Sequence, residues 1–300
     1  MNLNKKRKGI ILAGGTGSRL FPVTMGISKQ LVPVYDKPMI YYPLTTLMMA
    51  GITEILIITN SEYISSFKRL LEDGSQLGIS IQYDIQNSPN GIAEAFIIGE
   101  SFIGDNNVAL VLGDNLFYGY QLDTILKQSC AESIGSTIFA YSVNNPKDYG
   151  VIEFDDNLRV IKITEKPKEP KSNWAITGLY LYDNSVIAKT KSIKPSKRGE
   201  LEITDINMLY LEEGMLNVEL LKPGNAWLDT GNPDSLHEAS SYIRTLEKRQ
   251  GLKVGCPEEL AWRLKLINDK QLETLSKKFK KTSYGEHLMN LIGKGSKNAH

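Results

Sequence analysis

Residues 12–20 read Leu-Ala-Gly-Gly-Thr-Gly-Ser-Arg-Leu and directly follow a short apolar run at residues 9–12. Glycines let backbone N–H groups close on an anion. Gly14, Gly15, Thr16 and Gly17 could form such a cradle, and Arg19 adds a planar, permanently charged fork suited to phosphate. A tight turn alone would account for the glycines and leave Arg19 without a role. Two familiar phosphate loops fail here. No Gly-Lys pair stands where a Walker A loop needs one, and the third glycine of a Gly-x-Gly-x-x-Gly fingerprint is replaced by Leu20. Further on, Lys29 in Ser28-Lys29-Gln30-Leu31-Val32-Pro33-Val34 could supply a second cation, although alone it reads as a surface lysine.

Two carboxylates have a context suited to metal chemistry. Asp114, in Leu112-Gly113-Asp114-Asn115, follows an apolar run, and Asp229 lies in Ala226-Trp227-Leu228-Asp229-Thr230-Gly231. Mg²⁺ takes a few carboxylates and completes its shell with phosphate oxygens. Each Asp read alone is an ordinary turn or cap residue, and nothing in the sequence pairs them. Asp155-Asp156 falls in a hairpin turn and Glu258-Glu259 at a helix start. Residues 86–95, Gln-Asn-Ser-Pro-Asn-Gly-Ile-Ala-Glu-Ala, form a loop before a helix, and the Gln86 amide can both donate and accept. Glu165-Lys166-Pro167-Lys168 reads by itself as a solvated charged turn. His237, His287 and His300 are scattered, so a histidine-based mechanism is not expected.

These residues need a scaffold. Apolar runs at 9–12, 54–59, 79–85, 108–112 and 135–143 alternate with helical patterns at 39–50, 62–71 and 92–102. That is the signature of an α/β fold with a doubly wound, mainly parallel sheet, whose ligands sit at the carboxyl ends of the strands. Past residue 145 the pattern changes. Runs at 151–154 and 160–164 flank Asp155-Asp156-Asn157 as a hairpin, and 174–182 is a further strand, together making a mixed sheet extension. From Pro233 the chain is helical, at 235–249, 257–267, 271–278 and 284–291. The expected division is a catalytic α/β domain over 1–232 and a helical C-terminal segment over 233–300.

A chain of 300 residues buries enough surface to need no disulfide or metal staple. Cys130 and Cys256 have no metal spacing. A net charge of +1 gives no nucleic-acid signature, and the only basic run, Lys5-Lys6-Arg7-Lys8, reads as a solvated tip. The apolar run that follows it stops at Gly14, too short for a signal peptide, and no membrane span is expected. These features point to a cytoplasmic protein.

Leu-Ala-Gly-Gly-x-Gly-Ser/Thr-Arg-Leu followed by Ser-Lys-Gln-Leu-x-Pro-Val resembles the signature of the sugar nucleotidylyltransferases, and residues 35–43 continue the match. The likeness runs from about residue 8 to about residue 291. It implies a Rossmann-like nucleotidyltransferase fold and a Mg²⁺-dependent transfer of dTMP from dTTP to glucose 1-phosphate, giving dTDP-glucose and pyrophosphate for deoxysugar synthesis. It implies that Arg19, Lys29 and Lys166 are catalytic, and that Gly14, Gly15, Thr16, Gly17, Arg19, Gln30, Gln86, Pro89, Gly91 and Asp114 bind the nucleotide. Asn115, Tyr149, Gly150, Glu165, Lys166, Ile176 and Tyr180 would bind the sugar phosphate, with Asp114 and Asp229 together on the metal. A homotetramer with a further regulatory nucleotide site at a subunit interface is implied as well. The chain departs from the family's frequent Leu-Ala-Gln by carrying Ile92-Ala93-Glu94. The alternatives are the same chemistry with UTP, a non-catalytic nucleotide-sugar sensor and a nicotinamide-dependent oxidoreductase, the last opposed by the missing third glycine.

Overall fold

A computed structural model describes residues 6–294 of the chain, so Lys5 of the basic run and His300 lie outside the described residues. In chain order the strands are β1 (Arg7–Ala13), β2 (Pro33–Val34), β3 (Lys37–Pro38), β4 (Glu54–Thr59), β5 (Ser80–Ile85), β6 (Asn107–Leu112), β7 (Asn115–Gly119), β8 (Ser136–Ser142), β9 (Gly150–Phe154), β10 (Val160–Glu165), β11 (Trp174–Tyr182), β12 (Leu216–Leu220) and β13 (Asn225–Asp229). The α-helices are α1 (Tyr41–Met49), α2 (Ile64–Leu71), α3 (Glu94–Ile98), α4 (Glu100–Ile103), α5 (Leu122–Ala131), α6 (Val186–Ser192), α7 (Ile203–Glu212), α8 (Pro233–Gln250), α9 (Pro257–Arg263), α10 (Asp269–Lys278) and α11 (Ser283–Lys294).

The main sheet runs β10-β9-β11-β6-β1-β4-β5, with β8 beside β11 and β12 beside β8. Strands β6, β1, β4 and β5 are mutually parallel. Their side chains alternate between two cores. Ile11, Ile57, Ala109 and Val111 enter one, while Ile10, Leu56, Ile58, Val108 and Leu110 enter the other. Burial on both faces is why these strands read as continuous apolar runs rather than alternating ones. From β11 outward the sheet is mixed: β11 is antiparallel to β6 and β8, β9–β10 is an antiparallel hairpin, and β12 is parallel to β8.

The C-terminal helices join the same core, through Cys256, Ala261, Leu272 and Leu288. Helix α8 instead packs Ala239 and Ile243 against Val34, Met39 and Tyr42. It opens on a capping box, with Asn232 Oδ1 accepting from Ser235 N at 2.9 Å. Among the described residues no helix is long and apolar enough to cross a membrane.

Three expectations change. The helix expected over 92–102 is two pieces, α3 and α4, broken at Gly99, where a Cβ would stand 3.0 Å from Ile10 and 3.2 Å from Leu56. The basic run is not a solvated tip: Arg7 opens β1 and donates to the carbonyls of Val108 and Tyr182 at 3.0 and 2.9 Å, and Lys8 donates to Phe102 O at 2.7 Å. Residues 199–205, Gly-Glu-Leu-Glu-Ile-Thr-Asp, match the family and read from the sequence as a helix start with an Asx or Thr cap; they do lead into α7, but its N-cap is Glu202, with no side-chain cap hydrogen bond.

Candidate active site

The glycine loop leaves the carboxyl end of β1 and is fastened from beneath. Asn60 Nδ2 donates to Gly15 O at 3.1 Å and Thr24 Oγ1 to Gly17 O at 2.8 Å. Gln30, buried, reaches Gly14 O at 3.4 Å and takes Ser28 Oγ at 2.8 Å. Gly15 has φ 90°, a left-handed conformation that favours glycine. Leu20 is buried and anchors the turn, while Gly15, Thr16 and Arg19 stay exposed. The result is a rigid loop that offers backbone groups and one guanidinium to solvent.

The two carboxylates come together through a small ribbon. Strands β7 and β13 pair antiparallel, with Asn115 opposite Asp229, which sets Asp114 beside Asp229. Thr230 tightens the junction, its Oγ1 donating to Asp114 O at 2.9 Å. Asp114 takes Asn115 Nδ2 at 2.9 Å and a short ion pair from the largely buried Lys29. Burial opposes its charge, but the Lys29 ammonium and these hydrogen bonds hold Asp114 below the usual carboxylate range. Asp229 takes the opposite shift. Burial first, and the neighbouring Asp114 charge second, push it up to about 6, against the pull of Lys29 and Arg19. Tyr149 faces Asp229 and packs edge-on against Trp227 at 5.0 Å. Burial, then Asp229 and Asp148, push its phenol up to about 12.

A cleft of about 200 Å³ opens beside this pair. On its far side Glu165, at the end of β10, accepts from Thr204 Oγ1 at 2.6 Å. Arg198 spans Glu202 at 2.8 Å and Glu165 at 3.4 Å. Lys166 Nζ lies 3.7 Å from Glu165, on a residue in a positive-φ conformation (42°) that is costly for a residue with a side chain. Cations and carboxylates thus converge on one cleft, the arrangement needed to bring two polyanions together.

A nucleotidyl transferase family model matches residues 8–245. The glucose-1-phosphate thymidylyltransferase of Neisseria meningitidis serogroup A is 57% identical over 96% of this chain and 100% of its own length. The enzyme of the same name from Mycolicibacterium smegmatis is 55% identical over 95% and 99%. The chain belongs to the glucose-1-phosphate thymidylyltransferase branch of the nucleotidyl transferase family. A solved structure assigned as the thymidylyltransferase of Bacillus anthracis, in complex with a sucrose, has a TM-score of 0.74 at 41% identity, covering 80% of this chain and 96% of that one. A UDP-glucose pyrophosphorylase complexed with UDP-glucose has a TM-score of 0.70 at 25% identity, covering 80% and 98%. The chain is therefore an enzyme of the nucleotidyltransferase class, with a mainly parallel α/β core.

Against this thymidylyltransferase frame the sequence-derived residues fall in two groups. Arg19, Asp114, Asn115, Tyr149, Gly150, Glu165, Lys166, Ile176, Tyr180 and Asp229 all line the cleft. Gly14, Gly15, Thr16 and Gly17 form the adjoining glycine loop, against which Gln30 and Gln86 lie, with Gln86 tied to Gly91, Lys29 paired with Asp114 and Pro89 exposed on the next loop. Asn115 is largely committed inside the protein, with one Nδ2 hydrogen left for a ligand. Its Oδ1 takes Gly178 N at 3.0 Å and Trp227 Nε1 at 2.6 Å, and its Nδ2 goes to Asp114, so it positions the site from within. Arg198 was missed, although it directly precedes the Gly199–Asp205 match. The donor set suits a divalent cation: two adjacent carboxylates, and no cluster of three or more His, Cys, Asp or Glu among the described residues, leaving further ligand positions for phosphate oxygens. The larger cavity, about 370 Å³, is elsewhere, between α1, β7 and residues 253–264, and holds neither carboxylate.

Proposed function

We propose that the protein transfers dTMP from dTTP to glucose 1-phosphate and releases pyrophosphate. The single observation that carries this is the adjacency of Asp114 and Asp229 between the glycine loop and the Glu165–Arg198 cleft. No protein nucleophile is needed: an oxygen of the sugar phosphate attacks the α-phosphorus, the P–O bond to the leaving β-phosphate breaks in line, and pyrophosphate departs. The backbone of residues 14–17 and Arg19 hold the triphosphate, and Arg19 faces the charge that grows at phosphorus. Lys166 and Arg198 orient the attacking phosphate, and Glu165 accepts from sugar hydroxyls. Asp114 and Asp229 would hold Mg²⁺, which supplies charge neutralisation to the phosphate oxygens. Lys29 would leave Asp114 for the triphosphate as nucleotide and metal arrive.

UTP is the second candidate donor, favoured by the likeness to a UDP-glucose pyrophosphorylase. A pyrophosphate-release assay with dTTP and UTP separates the two, and no release with any nucleotide would leave only a sensor. The same proposal includes a catalytic unit over 1–232, a C-terminal segment over 233–300 that serves subunit contact or regulation, a homotetramer and a cytoplasmic location. The regulatory nucleotide would sit in the larger cavity, where Tyr118 and Gly119 lie near Lys127, Lys253 and Arg263. Addition of dTDP-rhamnose should then inhibit, in part even at saturating dTTP. Purely competitive inhibition would remove the case for that site.

A further inference from the structure

Glu94, where the chain departs from its family, is gripped by two amides. Gln86 Nε2 donates to Glu94 Oε2 at 2.8 Å and Asn90 Nδ2 donates to Oε1 at 2.8 Å. The other Nε2 hydrogen of Gln86 goes to Gly91 O at 3.2 Å. An amide nitrogen carries two hydrogens, so both donors of Gln86 are spent inside the protein. A carboxylate only accepts. Turning the Gln86 amide over would therefore set its oxygen against Glu94 Oε2 and Gly91 O together, with both lost hydrogen bonds uncompensated.

The loop that carries these groups cannot shift to relieve such a clash. Leu201 N donates to Asn90 O at 2.7 Å and Ala93 N to Leu201 O at 3.3 Å. Gly91 has φ 107°, and a Cβ there would stand 2.3 Å from Leu201 O. Gln86 itself is buried, at 5% exposure, with its backbone N–H on Thr59 O at 2.9 Å. What remains outward is Gln86 Oε1, lying against Gly14 so closely that a Cβ on that glycine would approach it to 2.7 Å.

We propose that Glu94 sets the base preference of the enzyme by locking Gln86 as a one-way hydrogen-bond acceptor. A pyrimidine that presents a ring N–H there, thymine or uracil, is taken. Cytosine presents a lone pair at the same ring nitrogen and meets oxygen against lone pair. Glu94 never touches the base, so it is a positioning residue acting through Gln86. The proposal rests on the proposed nucleotide site, in which the family resemblance implies that the Gln86 side chain and the Gly91 backbone meet the pyrimidine edge.

The test is equilibrium binding of dTTP, UTP, dCTP and dATP with Mg²⁺ and no sugar phosphate, by calorimetry. The proteins are the unmodified enzyme, Glu94→Ala, Glu94→Gln, Gln86→Leu and the Glu94→Ala/Gln86→Leu pair. The unmodified enzyme should bind dTTP and UTP at least about tenfold tighter than dCTP, the worth of one mismatched hydrogen bond. Glu94→Ala should weaken dTTP and UTP alike and narrow the dTTP-to-dCTP ratio about tenfold. Glu94→Gln, whose amide can turn to suit either orientation, should fall between, and it carries the test if the alanine variant does not fold. With Leu at position 86, removing Glu94 should move the ratio no further. Equal losses for dTTP and dCTP in both Glu94 variants, or a ratio that still moves in the Gln86→Leu background, would overturn the proposal. Unmodified protein that binds dATP as well as dTTP would overturn the pyrimidine site itself, a different result from a pyrimidine site indifferent to Glu94.

Discussion

The two sides of the cleft are built differently. The side proposed for the nucleotide rests on the carboxyl ends of the parallel strands β1, β5 and β6, and it offers backbone groups and a few buried amides beside Arg19 and Lys29. The side proposed for the sugar phosphate is assembled from the antiparallel extension and α7, and its contacts are side chains that neutralise one another, Arg198 with Glu165 and Glu202, Glu165 with Lys166. The first side is preorganised by the sheet. The second must trade internal ion pairs for ligand, so single substitutions there should cost less. Asp114 and Asp229 stand at the seam.

The largest effect is expected at that seam. Asp114→Asn or Asp229→Asn should lower activity roughly 10³-fold at fixed Mg²⁺ and raise the metal requirement, since metal stabilisation of phosphate charge is worth several kcal/mol. The double variant should be little worse than the poorer single one, because the two act as a unit. A Mg²⁺ titration of each variant checks this, and additive losses would separate the two residues.

Next comes Arg19→Ala, which should lower kcat and kcat/KM together by at least about 100-fold. Arg198→Ala should instead raise KM for the sugar phosphate about tenfold, with kcat less affected, because this half-exposed guanidinium gives up partners it already has. If Arg198→Ala costs as much as Arg19→Ala, the contrast between the two sides is wrong.

The smallest effect is on stability. The folded pKa of Asp229 is raised, to about 6, above its ordinary value of 3.8. Such a carboxyl favours folding below its unfolded pKa and loses that contribution as pH rises through the folded one. At pH 8 without metal, Asp229→Asn should therefore be more stable than the unmodified protein, by about 1–2 kcal/mol. The gap should close as pH falls from about 6 toward 4. Denaturant midpoints in chelator at both ends of that window measure it.

The same contrast explains what could be read in the sequence. The glycine loop and Arg19 are contiguous and follow a buried strand, so the residues themselves announce an anion site. Strands β4 and β11 were placed at their full extents because both are rich in β-branched, aromatic and leucine residues. The pairing of Asp114 with Asp229 was not legible from spacing, because a five-residue ribbon strand such as β13 (Asn-Ala-Trp-Leu-Asp) has little periodicity and its partner lies more than 100 residues away. Only the family resemblance joined them. Strand β12 and helix α6 were missed for the same reason, being short and half-polar. Arg198 sits in the stretch Lys-Pro-Ser-Lys-Arg-Gly, where nothing distinguishes it from a surface charge. Asn115 shows the reverse: its position was marked, but only the structure reveals that both acceptor positions and one donor of its amide go to Gly178, Trp227 and Asp114.

The most direct measurement is pyrophosphate release by the purified protein, across dTTP, UTP, dCTP, ATP and GTP, each with glucose 1-phosphate and with other sugar 1-phosphates. Release should be fastest with dTTP and glucose 1-phosphate, should need a divalent cation, and should be at least about tenfold slower with dCTP. Release with ATP or GTP as fast as with dTTP, or undiminished release in the presence of a chelator, would contradict the account.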